Sequence, residues 1–154
     1  MLLSDLLSED RIACDVDAHS KKRALETLSQ LLATNQQYAT ADDIVDSLLS
    51  RERLGSTGIG YGVAIPHGRV KNTHEASAAF IRLVEGIDFD AIDKQPVDLL
   101  FALLVPEEST DEHLEILSEL ANLFVESDFR DRLRKANSAD KIYSLFKERQ
   151  QTHA

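Results

Sequence analysis

Residues 97–105, "VDLLFALLV", form an almost unbroken apolar run, and the fold follows from how that run is read. A strand with one wet face alternates polar and apolar residues, whereas a strand covered by helices on both faces reads as continuously apolar. The run is too short for a membrane helix, which needs about 20 apolar residues, and it suits a strand buried on both faces. Working outward, "SAAFIRLV" at 77–84 and "RIACDV" at 11–16 carry strand composition, and "GVAI" at 62–65 forms a shorter strand. Helical spacing of Ala24, Leu25, Leu28, Leu31 and Leu32 predicts a helix over 20–33 with Ser20 as its N-cap. A second helix fits 40–53, capped by Thr40 or Asp42, with Ile44, Val45, Leu48 and Leu49 facing inward. Beyond Pro106 three helices are predicted, over 109–127, 127–136 and 138–150, each opened by a Ser or Thr capping candidate. The expected class is α/β, a central sheet flanked by helices on both faces.

The 154 residues suit one domain over 1–154, with a composition of 43% hydrophobic and 29% charged residues that points to a globular core and not to disorder. Acidic residues outnumber basic ones 27 to 17, a net charge of -10 that repels nucleic-acid backbones and makes them improbable partners. A few arginines can still dominate a single cleft, which leaves small phosphorylated groups open as ligands. The one cysteine, Cys14, has no internal partner for a disulfide and reads as a small strand residue. The start "MLLSDLLSEDR" has neither the basic opening nor the long apolar stretch of a secretory signal, so the expected compartment is the cytoplasm, without membrane insertion.

Of five histidines, His19, His74 and His153 lie in polar or terminal segments and read as solvated. His67 stands in "GSTGIGYGVAIPHGR", residues 55–69. Gly58, Gly60 and Gly62 permit positive φ and close backbone approach, so successive N–H groups could line an anion site. Pro66 stiffens the chain before the histidine and restricts Ile65 to an extended conformation, while Gly68 leaves space beyond it. The string lacks the "GK[ST]" of a nucleotide-binding loop and does not match a dinucleotide fingerprint. A glycine string alone is more simply a long turn, and with His67 attached the functional and structural readings balance.

His113 shares its helical azimuth with Leu117, Leu120 and Phe124, in a stripe completed by Leu114, Ile116 and Ala121. An imidazole buried there without a partner costs about 1–3 kcal/mol, and a core histidine bonded to a carbonyl is the ordinary outcome. Its helix follows the 97–105 strand, however, which puts it near the carboxyl edge of the sheet, where α/β proteins carry their sites. If 62–65 runs parallel to that strand, His67 reaches the same edge. Arg51 and Arg53 end the second helix, and either could lean over His67 to neutralise an anion. A metal site using His67, His113 and Glu112 or His74 is disfavoured, because Glu112 and His113 point about 100° apart on a helix.

A neutral imidazole, a second histidine, an arginine and backbone donors suit phosphoryl transfer, in which a lone pair attacks in line and donors surround the equatorial oxygens. No magnesium ligand set is evident, which argues against direct use of ATP, and no cofactor is required. The strings "RERLGSTGIGYGVAIPHGR", "QPVDLLFALLVP" and "DEHLEIL", together with "SKKRALETLSQLL", resemble the enzyme IIA proteins of the bacterial phosphotransferase system. They are most similar to the nitrogen-regulatory branch, related in fold to the fructose and mannitol IIA domains.

The resemblance implies a central mixed sheet flanked by helices. It implies that His67 accepts a phosphoryl group from a histidine phosphocarrier protein, that His113 donates a hydrogen bond to that group, and that Arg51 stabilises its charge. Thr57, Gly58, Gly60, Gly62 and Gly68 would then form the phosphate or partner surface. It implies a regulatory phosphoprotein whose targets include potassium-transport or sensor-kinase components. Two alternatives stand beside it: a sugar-transport IIA component that passes phosphate to a IIB domain, and a non-catalytic module that uses the same pocket only for binding.

Overall fold

The computed structural model describes residues 3–73, 75–108 and 111–153, with the side chains at 4, 111–114 and 150–153 outside that description. Its six strands are β1 (Ile12–Val16), β2 (Gly58–Gly60), β3 (Val63–Ala64), β4 (His67–Val70), β5 (Ser77–Ile87) and β6 (Val97–Pro106). Strand β6 is central. On one side it pairs antiparallel with β5, and on the other it pairs parallel with β3 and then, further along, with β4. Parallel pairing of β1 with β5 and antiparallel pairing of β2 with β3 complete a mixed sheet.

The helices are α1 (Leu3–Leu6), α2 (Lys21–Leu32), α3 (Ala41–Glu52), α4 (Asp111–Val125), α5 (Ser127–Lys135) and α6 (Ala139–His153), and they cover both faces. Leu99, Phe101, Leu103 and Val105 of β6 join a core with residues of α1, α4, α5 and α6, while Leu100, Ala102 and Leu104 join one with α2 and α3. Both halves of the strand's alternation are therefore apolar, which is why 97–105 shows no period of two. Five of the six phenylalanines, Phe80, Phe101, Phe124, Phe129 and Phe146, cluster on the first face with ring centroids 5.2–6.3 Å apart and mostly edge-on. Arg82 of β5 is buried beside this cluster, where it donates to the carbonyls of Leu133 and Ala136 and pairs with Asp15. It thereby satisfies carbonyls that the end of α5 would otherwise leave open.

The α/β class with helices on both faces is as expected. Several local features differ. Helix α1 and the 3-10 turn Glu9–Arg11 precede β1 without an obvious periodic signal. Strand β5 continues to Ile87, three residues past its expected end, and Leu31 is only half-buried. The 62–65 strand is reduced to Val63–Ala64, because Pro66 lacks an N–H and interrupts the ladder; the Pro66 carbonyl nonetheless accepts from Leu103, and pairing resumes as β4. Ser20 caps α2, accepting from the Arg23 N–H. Thr40 and Asp43 form a capping box on α3, which selects Thr40 over Asp42. Ser138 accepts from the Lys141 N–H at the start of α6. The expected cap at Ser127 is corrected: Ser127 is the first residue within α5, and the N-cap position falls to Glu126, whose side chain makes no capping bond. The expected cap of α4 lies at 109–110, outside the described residues.

Candidate functional site

The site begins with the packing of α3 on β4. A Cβ added at Gly68 would strike Ser47 Oγ and stand 3.2 Å from the Ser47 carbonyl carbon, so only glycine lets the helix backbone come this close to the strand. The Ser47 hydroxyl donates to the Arg69 carbonyl at 2.8 Å and ties the two elements together. Arg51 lies one helical turn beyond Ser47, on the same side of α3. From there its Nε donates to His67 Nε2 at 3.2 Å, and its Nη1 donates to the Gly55 carbonyl at 2.8 Å. Arg53, by contrast, is exposed, which assigns the neighbouring guanidinium to Arg51.

His67 is the first residue of β4 and pairs with Leu103, three residues before the end of β6 at Pro106. Its Nδ1 lies 3.1 Å from the Ile65 carbonyl, which can only accept. A guanidinium can only donate, so Nε2 must accept from Arg51 and the single ring proton sits on Nδ1. The sequence X-Pro-His produces this arrangement locally: Pro66 holds Ile65 extended, which keeps the Ile65 carbonyl beside the ring two residues on.

Burial lowers the His67 pKa below the ordinary histidine value of 6.5; the Ile65 carbonyl opposes this, and the charges of Arg51 and Arg69 add to the lowering. The shift favours the neutral imidazole, with its lone pair on Nε2 facing Arg51. Because the folded value is depressed, the unfolded chain takes up this proton first as the pH falls through 6.5, so the group costs stability below that pH and not above it. A titration followed by nitrogen-detected imidazole NMR is expected to place the His67 midpoint below 6.5, with Nδ1-protonated shifts at neutral pH. A midpoint above 6.5 would contradict the buried, arginine-facing geometry.

A second network fixes the loop behind Arg51. Glu52 is buried and accepts from the Thr57 N–H at 3.0 Å and from Thr57 Oγ1 at 2.6 Å, while Lys21 Nζ approaches it at 2.9 Å. Lys21 also lies over the Phe89 ring and reaches Asp90. Glu52 thus closes the turn 53–57 whose Gly55 carbonyl anchors Arg51. Sequence reasoning missed both Glu52 and Lys21. The one available signal was an acidic residue between two arginines at a helix end, which by itself reads as solvated.

The glycines do not line His67 as the sequence suggested. β2 and β3 form a tight antiparallel pair, with Tyr61 and Gly62 at positive φ in the turn. That turn points to the amino end of β6: the Asp98 and Leu99 N–H groups donate to the Gly62 carbonyl, and Val63 pairs with Leu99. Leu99 and Leu103 are four residues apart on the strand, about 13 Å, so Gly60 and Gly62 are remote from His67. The Gly58 N–H is taken by Ser56 Oγ and the Tyr61 N–H by Asp93, and a Cβ at Gly58 would strike Ala91. These glycines serve the turn and its packing: the Gly58 amide is taken, Gly60 and Gly62 are at positive φ, and a Cβ at Gly62 would strike Arg134. Thr57 is buried and bound to Glu52, so its hydroxyl holds the loop. Gly68 alone among these glycines acts directly at the site, through the α3 contact.

β3 and β4 run parallel to β6, as the shared-edge expectation required, and α4 starts at Asp111 shortly after β6 ends. His113 lies in the first turn of α4, with its side chain outside the described residues, as are those of Glu112 and the whole of His74. Among the described residues no helix is long and apolar enough to cross a membrane.

A three-layer α/β fold presenting a neutral, arginine-bound histidine on a strand is an arrangement suited to accepting an electrophilic group. Residues 5–149 match the EIIA 2 component of the phosphoenolpyruvate-dependent sugar phosphotransferase system, and the chain belongs to that family. Within it the chain is similar to nitrogen regulatory proteins: it is 44% identical over 143 residues to that of Pseudomonas aeruginosa, covering 93% of each chain. The crystal structure of nitrogen regulatory protein IIA-Ntr from Neisseria meningitidis superposes with a TM-score of 0.87 at 42% identity, over 93% of this chain and 97% of that one. The IIA mannitol structure from Escherichia coli shares the fold, with a TM-score of 0.74 at 22% identity over 90% of this chain and 97% of that one.

Proposed function

We propose that this chain is a regulatory phosphoryl-transfer protein of a nitrogen-related phosphotransferase system, in which His67 Nε2 accepts a phosphoryl group from a phosphohistidine on a small carrier protein. One observation carries the reading: Nε2 is the unprotonated nitrogen, held toward Arg51, while Nδ1 is tied to the Ile65 carbonyl. In the transfer the Nε2 lone pair forms the new N–P bond, and the electron pair of the old N–P bond returns to the carrier's imidazole nitrogen. No proton has to leave His67, because the Nδ1–H stays on the Ile65 carbonyl and that carbonyl stabilises the positive charge gained by the ring. Arg51 exchanges the Nε2 lone pair for a phosphoryl oxygen, using a guanidinium already oriented by Gly55. His113 supplies a further hydrogen bond from the start of α4.

Residues 1–154 act as one EIIA domain in the cytoplasm, and the phosphorylation state of His67 governs binding to protein targets such as potassium-transport or sensor-kinase components. The similarity to nitrogen regulatory proteins over most of the chain supports the regulatory reading. The test is incubation with the carrier, its upstream kinase and phosphoenolpyruvate, followed by alkaline mass-spectrometric mapping and phosphorus–nitrogen coupling measurements. One phosphoryl group on His67 Nε2 is expected. Label on another residue, on Nδ1, or on none overturns the assignment.

A further inference from the structure

Arg69 follows His67 by two residues on β4, so the two side chains leave the strand on the same face, while Gly68 and Val70 between and beyond them are buried on the other. Among the described residues the Arg69 guanidinium meets one acceptor, the Glu107 carbonyl, at a long 3.4 Å, and no carboxylate neutralises it. Arg82, Arg134 and Arg149, in contrast, are each bound to an acidic side chain, namely Asp15, Asp98 and Glu126. In a chain with ten more acidic than basic residues, an exposed arginine without a carboxylate beside the nucleophile is a cation left available. Its charge acts on the His67 ring from β4 itself, while Arg51 approaches from the end of α3.

From this geometry, and resting on the reading of His67 as the phosphoryl acceptor, we infer that Arg69 is a second phosphoryl-binding residue that closes on the group carried by Nε2. Arg51 and Arg69 then hold the phosphoryl oxygens from two directions, and Arg69 gives up only a weak bond to the Glu107 carbonyl. The action is on the phosphoryl group itself and is independent of which donor brings it. Two phosphoryl donors separate this role from carrier docking: the carrier protein, and phosphoramidate, a small donor with no docking surface.

Arg69→Gln is expected to slow labelling of His67 by both donors by about tenfold to a hundredfold, the range for loss of one charged hydrogen bond. Its thermal midpoint should match wild type, because the side chain is exposed, and Arg69→Lys should regain part of the rate. Phosphoramidate labelling at the wild-type rate in Arg69→Gln overturns the proposal, whether or not the carrier reaction is slowed. Slowing that appears only together with a lowered midpoint also overturns it, since the effect is then structural. Wild-type protein left unlabelled by both donors instead overturns the reading of His67, and this inference with it.

Discussion

His67→Ala protein is expected to take up no phosphoryl group from the carrier while remaining folded. The variant removes the lone pair that the transfer requires, so the loss is complete and not graded, as it is for any nucleophile without a substitute. His19, the other histidine whose side chain is described, sits on an exposed segment against Asp17 and cannot replace it. Stability should change by only about 1 kcal/mol, because the half-buried ring gives up one bond to a carbonyl and one to Arg51, both of which face partly wet surroundings. The same variant should flatten the acid side of the stability profile: with no ring to protonate, the part of the decline below pH 6.5 that belongs to His67 disappears. Phosphate retained in His67→Ala would move the acceptor elsewhere, and a protein that fails to fold would make His67 structural.

The second large effect is expected at a residue that touches no phosphoryl group. Glu52→Ala leaves the Thr57 N–H and hydroxyl buried without their acceptor and removes the closest partner of Lys21. Breaking a buried pair from one side costs about 3 kcal/mol, moderated here because Lys21 keeps Asp90. Urea unfolding should show a lower midpoint with an unchanged slope. Under conditions where the variant is still folded, labelling of His67 should also slow, because turn 53–57 no longer holds the Gly55 carbonyl that orients Arg51. Glu52→Gln retains an acceptor for Thr57 and is expected to recover much of the stability. Equal stability of Glu52→Ala and wild type would show that the network is not what closes the turn.

The histidine and its arginine are legible in the chain because both stand beside chemical punctuation. Pro66 and Gly68 bracket His67, and Arg51 falls at the end of a well-capped amphipathic helix. The choice between Arg51 and Arg53 rests on family resemblance and not on spacing, since two residues on a helix differ by about 200° and spacing does not give the direction of β4. The glycines mislead for a related reason. Positive φ and missing side chains are needed equally by an anion-binding loop and by a tight strand pair, and only the partners of the amides distinguish them. Those partners, Ser56 Oγ and Asp93, are supplied by the turn itself and by the β5–β6 connection.

By itself the sequence determined the α/β class, the central strand at 97–105, the phases of α2 and α3, and the bracketing of His67 by Pro66 and Gly68, because these depend on periodicity, capping and proline geometry over short spans. Tertiary structure decided what the glycines do, which arginine faces the ring, which imidazole nitrogen holds the proton, and that Glu52 and Lys21 stand behind the site. Each of those depends on the register of β3 and β4 against β6 and on the close approach of α3 at Gly68. Such contacts join residues far apart in the chain, and their free energy comes from desolvated partners that no local pattern of residues announces.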